Sequence, residues 1–185
     1  MAASTTSTPA LAFSPASTPP LNALPPLLSP QTRLLILGSF PGVASLKAQQ
    51  YYSHPQNQFW RILEALLAGS RRDVYQSCYE KRSEWLLSHH LGLWDVYASC
   101  ERTGSLDSNI RNPVVNDFSA LKTFCPLLEA VAHNGAESFK HAKHAAALGL
   151  PAYQLPSSSP ANASWPFERK LAAWRVVFEK HGLIP

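Results

Sequence analysis

Charge is missing from the start of this 185-residue chain: residues 1–32 contain no Asp, Glu, Lys or Arg. The first thirty hold seven prolines and nine serines or threonines, a composition that cannot build a periodic apolar face. A secretory signal wants a basic start and an unbroken apolar run, and a mitochondrial one wants arginines. Neither is present, so residues 1–32 are expected to form a disordered tail whose removal leaves the rest folded. Within it, Leu21–Leu28 is expected to pack only loosely on the domain.

Cysteine is scarce. Cys78, Cys100 and Cys125 are the only three and form no CxxC pair, which argues against a disulfide framework and fits a reducing compartment. An iron–sulfur cluster needs about four thiolates. Zinc is hardly better served: His141 and His144 share a helical spacing with His133 upstream, but no fourth ligand stands nearby, and the histidines read as solvated helix residues. No metal or other cofactor is expected. No stretch approaches the roughly 18 apolar residues of a membrane span. Signature loops are missing too: there is no GxSxG elbow, no phosphate loop ending in Gly-Lys-Ser/Thr, and GSFPG follows the first apolar run where a dinucleotide site would show GxGxxG. The net charge of +4 leans mildly towards a polyanionic partner.

What is present begins at Arg33. Leu34–Leu37 is a continuous apolar run ending at Gly38, as in a buried parallel strand. Phe59–Leu67 and Tyr75–His90 read as helices, Leu93–Tyr97 as a strand, and Asn116 as the cap of a helix through Phe124. Leu127–Ala132 is the next strand, Ala136–Leu148 an Ala-rich helix, Ala152–Leu155 a short strand and Phe167–His181 the last helix. The alternation predicts an α/β fold over 33–185, a three-layer α/β/α sandwich around a mostly parallel sheet of about four strands.

In such sheets ligands bind beyond the carboxyl ends of the strands. Those ends are Gly38–Gly42, Trp94-Asp95-Val96, His133-Asn134-Gly135 and Leu155–Pro160. Each taken singly is ordinary turn chemistry. Together they form a rim of amides, hydroxyls and rings in which Asp95 is the lone carboxylate, a surface suited to reading a flat heterocycle. In the loop before the Phe59 helix, Tyr51 and Tyr52 can stack on a base or cover the core, and Asn57 can cap the helix or hold a water.

GSFPGVASLKAQQYYSHPQNQFW resembles the first motif of the uracil-DNA glycosylase superfamily. The match is closest to its hypoxanthine-DNA (DNA-deoxyinosine) glycosylase branch. GLWDVYASCERTGSLDSNIR, AHNGAESF and LPSSSPANASW resemble that branch's remaining blocks in the same order, so the resemblance spans Arg33 to the C-terminus. It implies a monofunctional glycosylase that flips a deaminated base, hypoxanthine foremost, out of double-stranded DNA and hydrolyses its N-glycosidic bond with a positioned water. Asn57 takes the catalytic role. Gly38, Ser39 and Phe40 offer backbone donors to the base, Tyr52 stacks on it, and the Asn134 amide reaches its carbonyl. Ser157, Ser158, Ser159 and Asn162 grip the DNA. Where the mismatch-specific uracil branch places an Asn in its GINPG-like motif, Phe40 stands here, which weighs against efficient uracil excision. The implied enzyme is a cytoplasmic, nucleoid-associated bacterial monomer without membrane attachment. Three alternatives stay open: a broader uracil or mismatch glycosylase, a silent nucleic-acid-binding domain, and an unrelated hydrolase using Asp95 or a histidine.

Overall fold

The computed structural model describes residues 19–67, 74 and 76–185. Its centre is a four-stranded parallel sheet of β2 (Leu34–Gly38), β3 (Leu91–Asp95), β6 (Ala130–Asn134) and β7 (Ala152–Leu155), in the order β3-β2-β6-β7. The first strand therefore sits inside, and the chain winds outwards from it in both directions. Alternation along β2 fills two cores. Leu34 and Ile36 face one side, Leu35 and Leu37 the other, and all four are fully or almost fully buried, as a strand covered on both faces requires.

One face is covered by α2 (Phe59–Leu67), α3 (Tyr79–Ser88) and α7 (Phe167–Lys180), through Phe59, Ile62, Leu63, Leu86, Trp174 and Phe178. The other is covered by α4 (Leu121–Phe124) and α6 (Lys143–Ala147), through Leu121 and Ala145, with Leu46 of α1 (Val43–Ala48) packed against that cluster. The expected three layers are present. Among the described residues no helix is long and apolar enough to cross a membrane.

Five differences from the sequence reading are found. The region around Leu93–Tyr97 is two strands: β3 ends at Asp95, and β4 (Tyr97–Glu101) turns away to join an antiparallel sheet, β1-β4-β5, with β1 (Leu21–Asn22) and β5 (Arg111–Val115). β1 lies in the expected tail, whose residues 1–18 fall outside the described ones. From Leu21 onward the segment is part of the domain. Leu21 pairs with Cys100, Leu27 bridges Leu93, and Leu24 and Thr32 are buried. The Pro-rich stretch covers the open edge of β3, where an unpaired strand would otherwise invite aggregation.

Asn116 does not cap a helix. Its Nδ2 donates to the Asp95 carbonyl at 2.9 Å, and α4 is confined to Leu121–Phe124. The Ala-rich helix is broken into α5 (Ala136–Phe139) and α6. Ser138 turns into the sheet to donate to the Leu37 carbonyl at 2.9 Å, and Tyr97 Oη and His141 Nε2 are 2.9 Å apart. The predicted helix from Tyr75 begins at Tyr79, with Tyr75 outside the described residues.

Candidate active site

β2 is joined to β3 on one side and to β6 on the other, so the winding reverses between β2 and β6. In open α/β sheets such a switch point opens a crevice at the strands' carboxyl ends. A cleft of about 960 Å³ lies there, and every one of the sequence-predicted site residues lines it: Gly38, Ser39, Phe40, Tyr52, Asn57, Asn134, Ser157, Ser158, Ser159 and Asn162. Residues separated by more than a hundred positions converge because four parallel strands end together.

The first wall is the turn after β2. Val96 N–H donates to the Gly38 carbonyl at 2.9 Å and Tyr97 N–H to the Ser39 carbonyl at 3.1 Å, which pins the turn to the β3–β4 junction. Ser39 Oγ donates to Asp107 Oδ1 at 2.7 Å. The Arg102 guanidinium lies 5.0 Å from the Phe40 ring centroid and donates through Nη2 to the Pro41 carbonyl. Phe40 is thus mostly core, and its ring serves the turn more than the cleft.

The floor is made by Asp95 and Tyr52. Gly38 and Asp95 are register partners on adjacent strands. A side chain on Gly38 would meet Asp95 Oδ1 at 2.5 Å and the Tyr52 hydroxyl at 3.2 Å, so glycine is what lets the three groups meet. Asp95 is 2% exposed, and its Oδ2 is buried without a hydrogen-bond partner among the described residues. Burial pushes its carboxyl up to about 8 against the pull of Arg102, and Asp107 adds to the rise. At neutral pH the floor of the cleft therefore carries a neutral acid, able to donate as well as accept.

Tyr51 and Tyr52 divide the two roles left open for them. Tyr51 is 3% exposed and its hydroxyl donates to the Leu24 carbonyl at 3.3 Å: it is core. Tyr52 stacks on Phe59, ring centroids 4.0 Å apart and planes 20° off parallel. Its backbone is left-handed, φ 54°, an uncommon state for a bulky residue that persists only where its surroundings enforce it. Here Trp60 Nε1 donates to the Tyr51 carbonyl at 3.0 Å and holds the loop. The result is an aromatic plate with a rigid backing.

The far wall joins three loops. Asn57 Oδ1 accepts from Phe59 N–H at 3.0 Å, so Asn57 caps α2 while lining the cleft. Among the described residues its Nδ2 and one Oδ1 lone pair are left uncommitted. Gln58 N–H donates to the Ser158 carbonyl at 3.0 Å. Ser158 is fully buried and held at both ends by Asn134, whose Nδ2 donates to Ser158 Oγ at 2.8 Å and whose Oδ1 accepts from Ser158 N–H at 2.9 Å.

This placement corrects one reading: Ser158 is fully buried and out of reach of a phosphate. Asn134 commits its Oδ1 and one of its two Nδ2 hydrogens to the loop while lining the cleft. Ser157 and Ser159 are half-buried and accept from Ser159 N–H and Ala161 N–H, each at 3.2 Å. Asn162 Nδ2 donates to the Ser157 carbonyl at 3.2 Å. The serine loop is shaped largely by its own polar groups.

His133 is a strand residue, fully buried. Ser138 Oγ gives its proton to Leu37, so it accepts from His133 Nδ1–H at 2.8 Å. Burial lowers the ring to about 4 and keeps it neutral. Among the described residues no group of three or more His, Cys, Asp or Glu could hold a metal ion. Sequence reasoning missed Arg102 and Asp107 because both come from the antiparallel excursion, which had no strand-end signal.

Residues 25–178 match the uracil DNA glycosylase superfamily. The chain belongs to that superfamily. Two proteins called hypoxanthine DNA glycosylase, from Methanosarcina acetivorans and Methanosarcina barkeri, are each 37% identical, over 154 and 156 residues. The alignments cover 83% and 84% of this chain and 95% and 96% of those relatives. The solution NMR structure of a protein from Methanosarcina acetivorans, described as a candidate uracil DNA glycosylase, superposes with a TM-score of 0.78 at 34% identity. It covers 88% of this chain and 99% of its own. The superfamily's fold thus extends over nearly all of the described residues.

Proposed function

We propose that this chain is a DNA glycosylase that hydrolyses the N-glycosidic bond of hypoxanthine in duplex DNA. The observation that carries the reading is the floor of the cleft. A backed aromatic plate, Tyr52 on Phe59, meets a buried, neutral carboxyl, Asp95. The plate takes the face of a flipped base. The acid offers one donor and one acceptor side by side, which matches the carbonyl and adjacent ring N–H of a deaminated base. Superfamily membership and the names of the 37% identical relatives support the same reading.

The reaction asks little of acid–base chemistry. The bond between C1′ and the base nitrogen breaks, the base leaves with the electron pair and takes up a proton, and water adds its oxygen to C1′. Holding the base out of the stack and placing one water supply most of the acceleration, and flipping is cheapest at a mispaired base. Asn57, fixed by its bond to Phe59 N–H, has an amide group left to orient that water. No step is routed through a metal or cofactor.

Duplexes carrying hypoxanthine, uracil, xanthine or only normal bases, incubated with the protein and then cleaved with alkali, test the proposal. Strand breaks are expected at hypoxanthine first. Cleavage of uracil alone would make this the broader glycosylase, and cleavage of none would leave a binding domain.

A further inference from the structure

Beside the main cleft lies a second pocket of about 560 Å³ that shares Asn57, Pro160, Asn162 and Trp165 with it. Two cations, Arg61 and Lys170, are in its wall and no carboxylate is. Lys170 is the unusual one. It is 1% exposed, yet it has neither an ion-pair nor a hydrogen-bond partner for its ammonium among the described residues. Burial lowers its pKa. A buried, unpaired charge is costly, and an ordinary core position would be filled by an apolar residue.

Its place in the fold makes the cost higher. Lys170 N–H donates to the Pro166 carbonyl at 3.1 Å, so it stands in the first turn of α7, a 14-residue helix. That end of a helix already carries partial positive charge and unsatisfied N–H groups. The residue before the helix is Pro166, which gives no side-chain cap and itself lines the pocket. Arg61 comes from α2 and lies 4.8 Å from the ring centroid of Phe167, the first residue of α7. Two side-chain cations therefore meet at one hollow whose wall contains no carboxylate, beside the start of α7, where Glu168 is the one acid of the first turn.

We propose that this second pocket is a phosphodiester-binding subsite, which seats a backbone phosphate of the DNA strand next to the flipped nucleotide. The proposal rests on the glycosylase reading of the neighbouring cleft. A phosphate there pairs Lys170 and Arg61 and sets the strand in register with Asn57, which belongs to both hollows. The serine loop, whose hydroxyls are largely spent on its own backbone, then need not supply the main grip.

The test is the salt dependence of binding, because each phosphate contact that is lost lowers the slope of log Kd against log salt by about one. Lys170→Met keeps the stem, Arg61→Gln probes the exposed cation, and Lys180→Met, roughly 15 Å from Lys170 at the other end of α7, controls for net charge. Lys170→Met and Arg61→Gln are each expected to weaken duplex binding about tenfold at low salt and to lower the slope by about one, with Lys180→Met at the wild-type slope. Unchanged slopes in folded Lys170→Met and Arg61→Gln would overturn the subsite, as would an equal loss in Lys180→Met. Should Lys170→Met fail to fold, Arg61→Gln decides. Inorganic phosphate at matched ionic strength separates a free anion: a rise in wild-type Tm that Lys170→Met abolishes, with DNA slopes unaltered, overturns the DNA assignment. Slopes measured on undamaged duplex read the pocket even if the wild type releases no base, so failure of the glycosylase reading is seen separately.

Discussion

The carboxyl of Asp95 occupies the space where a side chain on Gly38 would stand, 2.5 Å from the position of a Cβ there. The two residues are partners across the β2–β3 ladder, and the atoms a side chain on Gly38 would meet belong to the Asp95 and Tyr52 side chains, so it is the carboxyl that must give way. Gly38→Ala is expected to cost roughly 1–3 kcal/mol, the usual range for overpacking, and to displace Asp95 from the floor. Thermal melting and single-turnover excision on a hypoxanthine duplex should both fall. Wild-type stability with wild-type rate would show that the floor tolerates a methyl group.

Asp95 also sets a pH dependence. The unfolded chain releases this proton near 3.8, whereas the folded protein keeps it to about 8. Between those values the folded state binds more protons, so stability falls as pH rises across that window. Asp95→Asn removes the penalty and keeps one donor and one acceptor. Its Tm should exceed wild type at about pH 8, with the advantage shrinking towards pH 4. The wild-type excision rate is expected to decline near pH 8 as the acid ionises, and that of Asp95→Asn to lack this decline. A shared alkaline limb would place the titrating group elsewhere.

Asn57 is both a cap and the proposed holder of water, and the two roles predict different damage. Loss of a cap costs typically ~1 kcal/mol. Asn57→Ala is expected to fold with that modest loss, to bind a hypoxanthine duplex, and to cut it more slowly by orders of magnitude. Asn57→Asp should cap as well as wild type and still change the rate. If Asn57→Ala cuts at the wild-type rate, Asn57 is a cap alone.

Asn134 and Ser158 exchange two hydrogen bonds inside the protein. Removing one partner leaves buried polar groups unpaired, at about 1–3 kcal/mol. Asn134→Ala should therefore lower Tm more than Ser158→Ala, because it strands both a hydroxyl and an N–H. Both variants should lose excision through the displaced loop, with binding to undamaged duplex falling less. A change of base preference in Asn134→Ala without loss of stability would make Asn134 a reader of the base.

Deletion of residues 1–32 takes away β1, the Leu27–Leu93 bridge and the buried Leu24 and Thr32. Loss of a buried leucine alone costs about 2–5 kcal/mol. A clear drop in Tm is expected, in contrast to the harmless deletion that the composition of the segment suggests. An unchanged melting curve would make the edge cover dispensable.

The sequence by itself determined the α/β class, the parallel sheet and the cleft. Leu34–Leu37 and Phe59–Leu67 are runs whose apolar pattern and length set their type, and strand ends in a parallel sheet must share an edge. Tertiary structure alone decided what happens away from those runs. Leu21–Asn22 is a strand because β4 offers it a partner, and Asn116 is a tether because the Asp95 carbonyl lies within reach. The Ala-rich segment breaks because Ser138 and His141 find partners off the helix axis. It also decided which polar groups remain free to act. Asn134 and Ser158 look alike in sequence to groups that meet a ligand, but they exchange two hydrogen bonds with each other. Asp95 and Lys170 look like ordinary charges, but burial without a partner sets them apart. Whether a polar side chain is spent or available depends on its neighbours in space, and those are set by contacts between residues far apart in the chain.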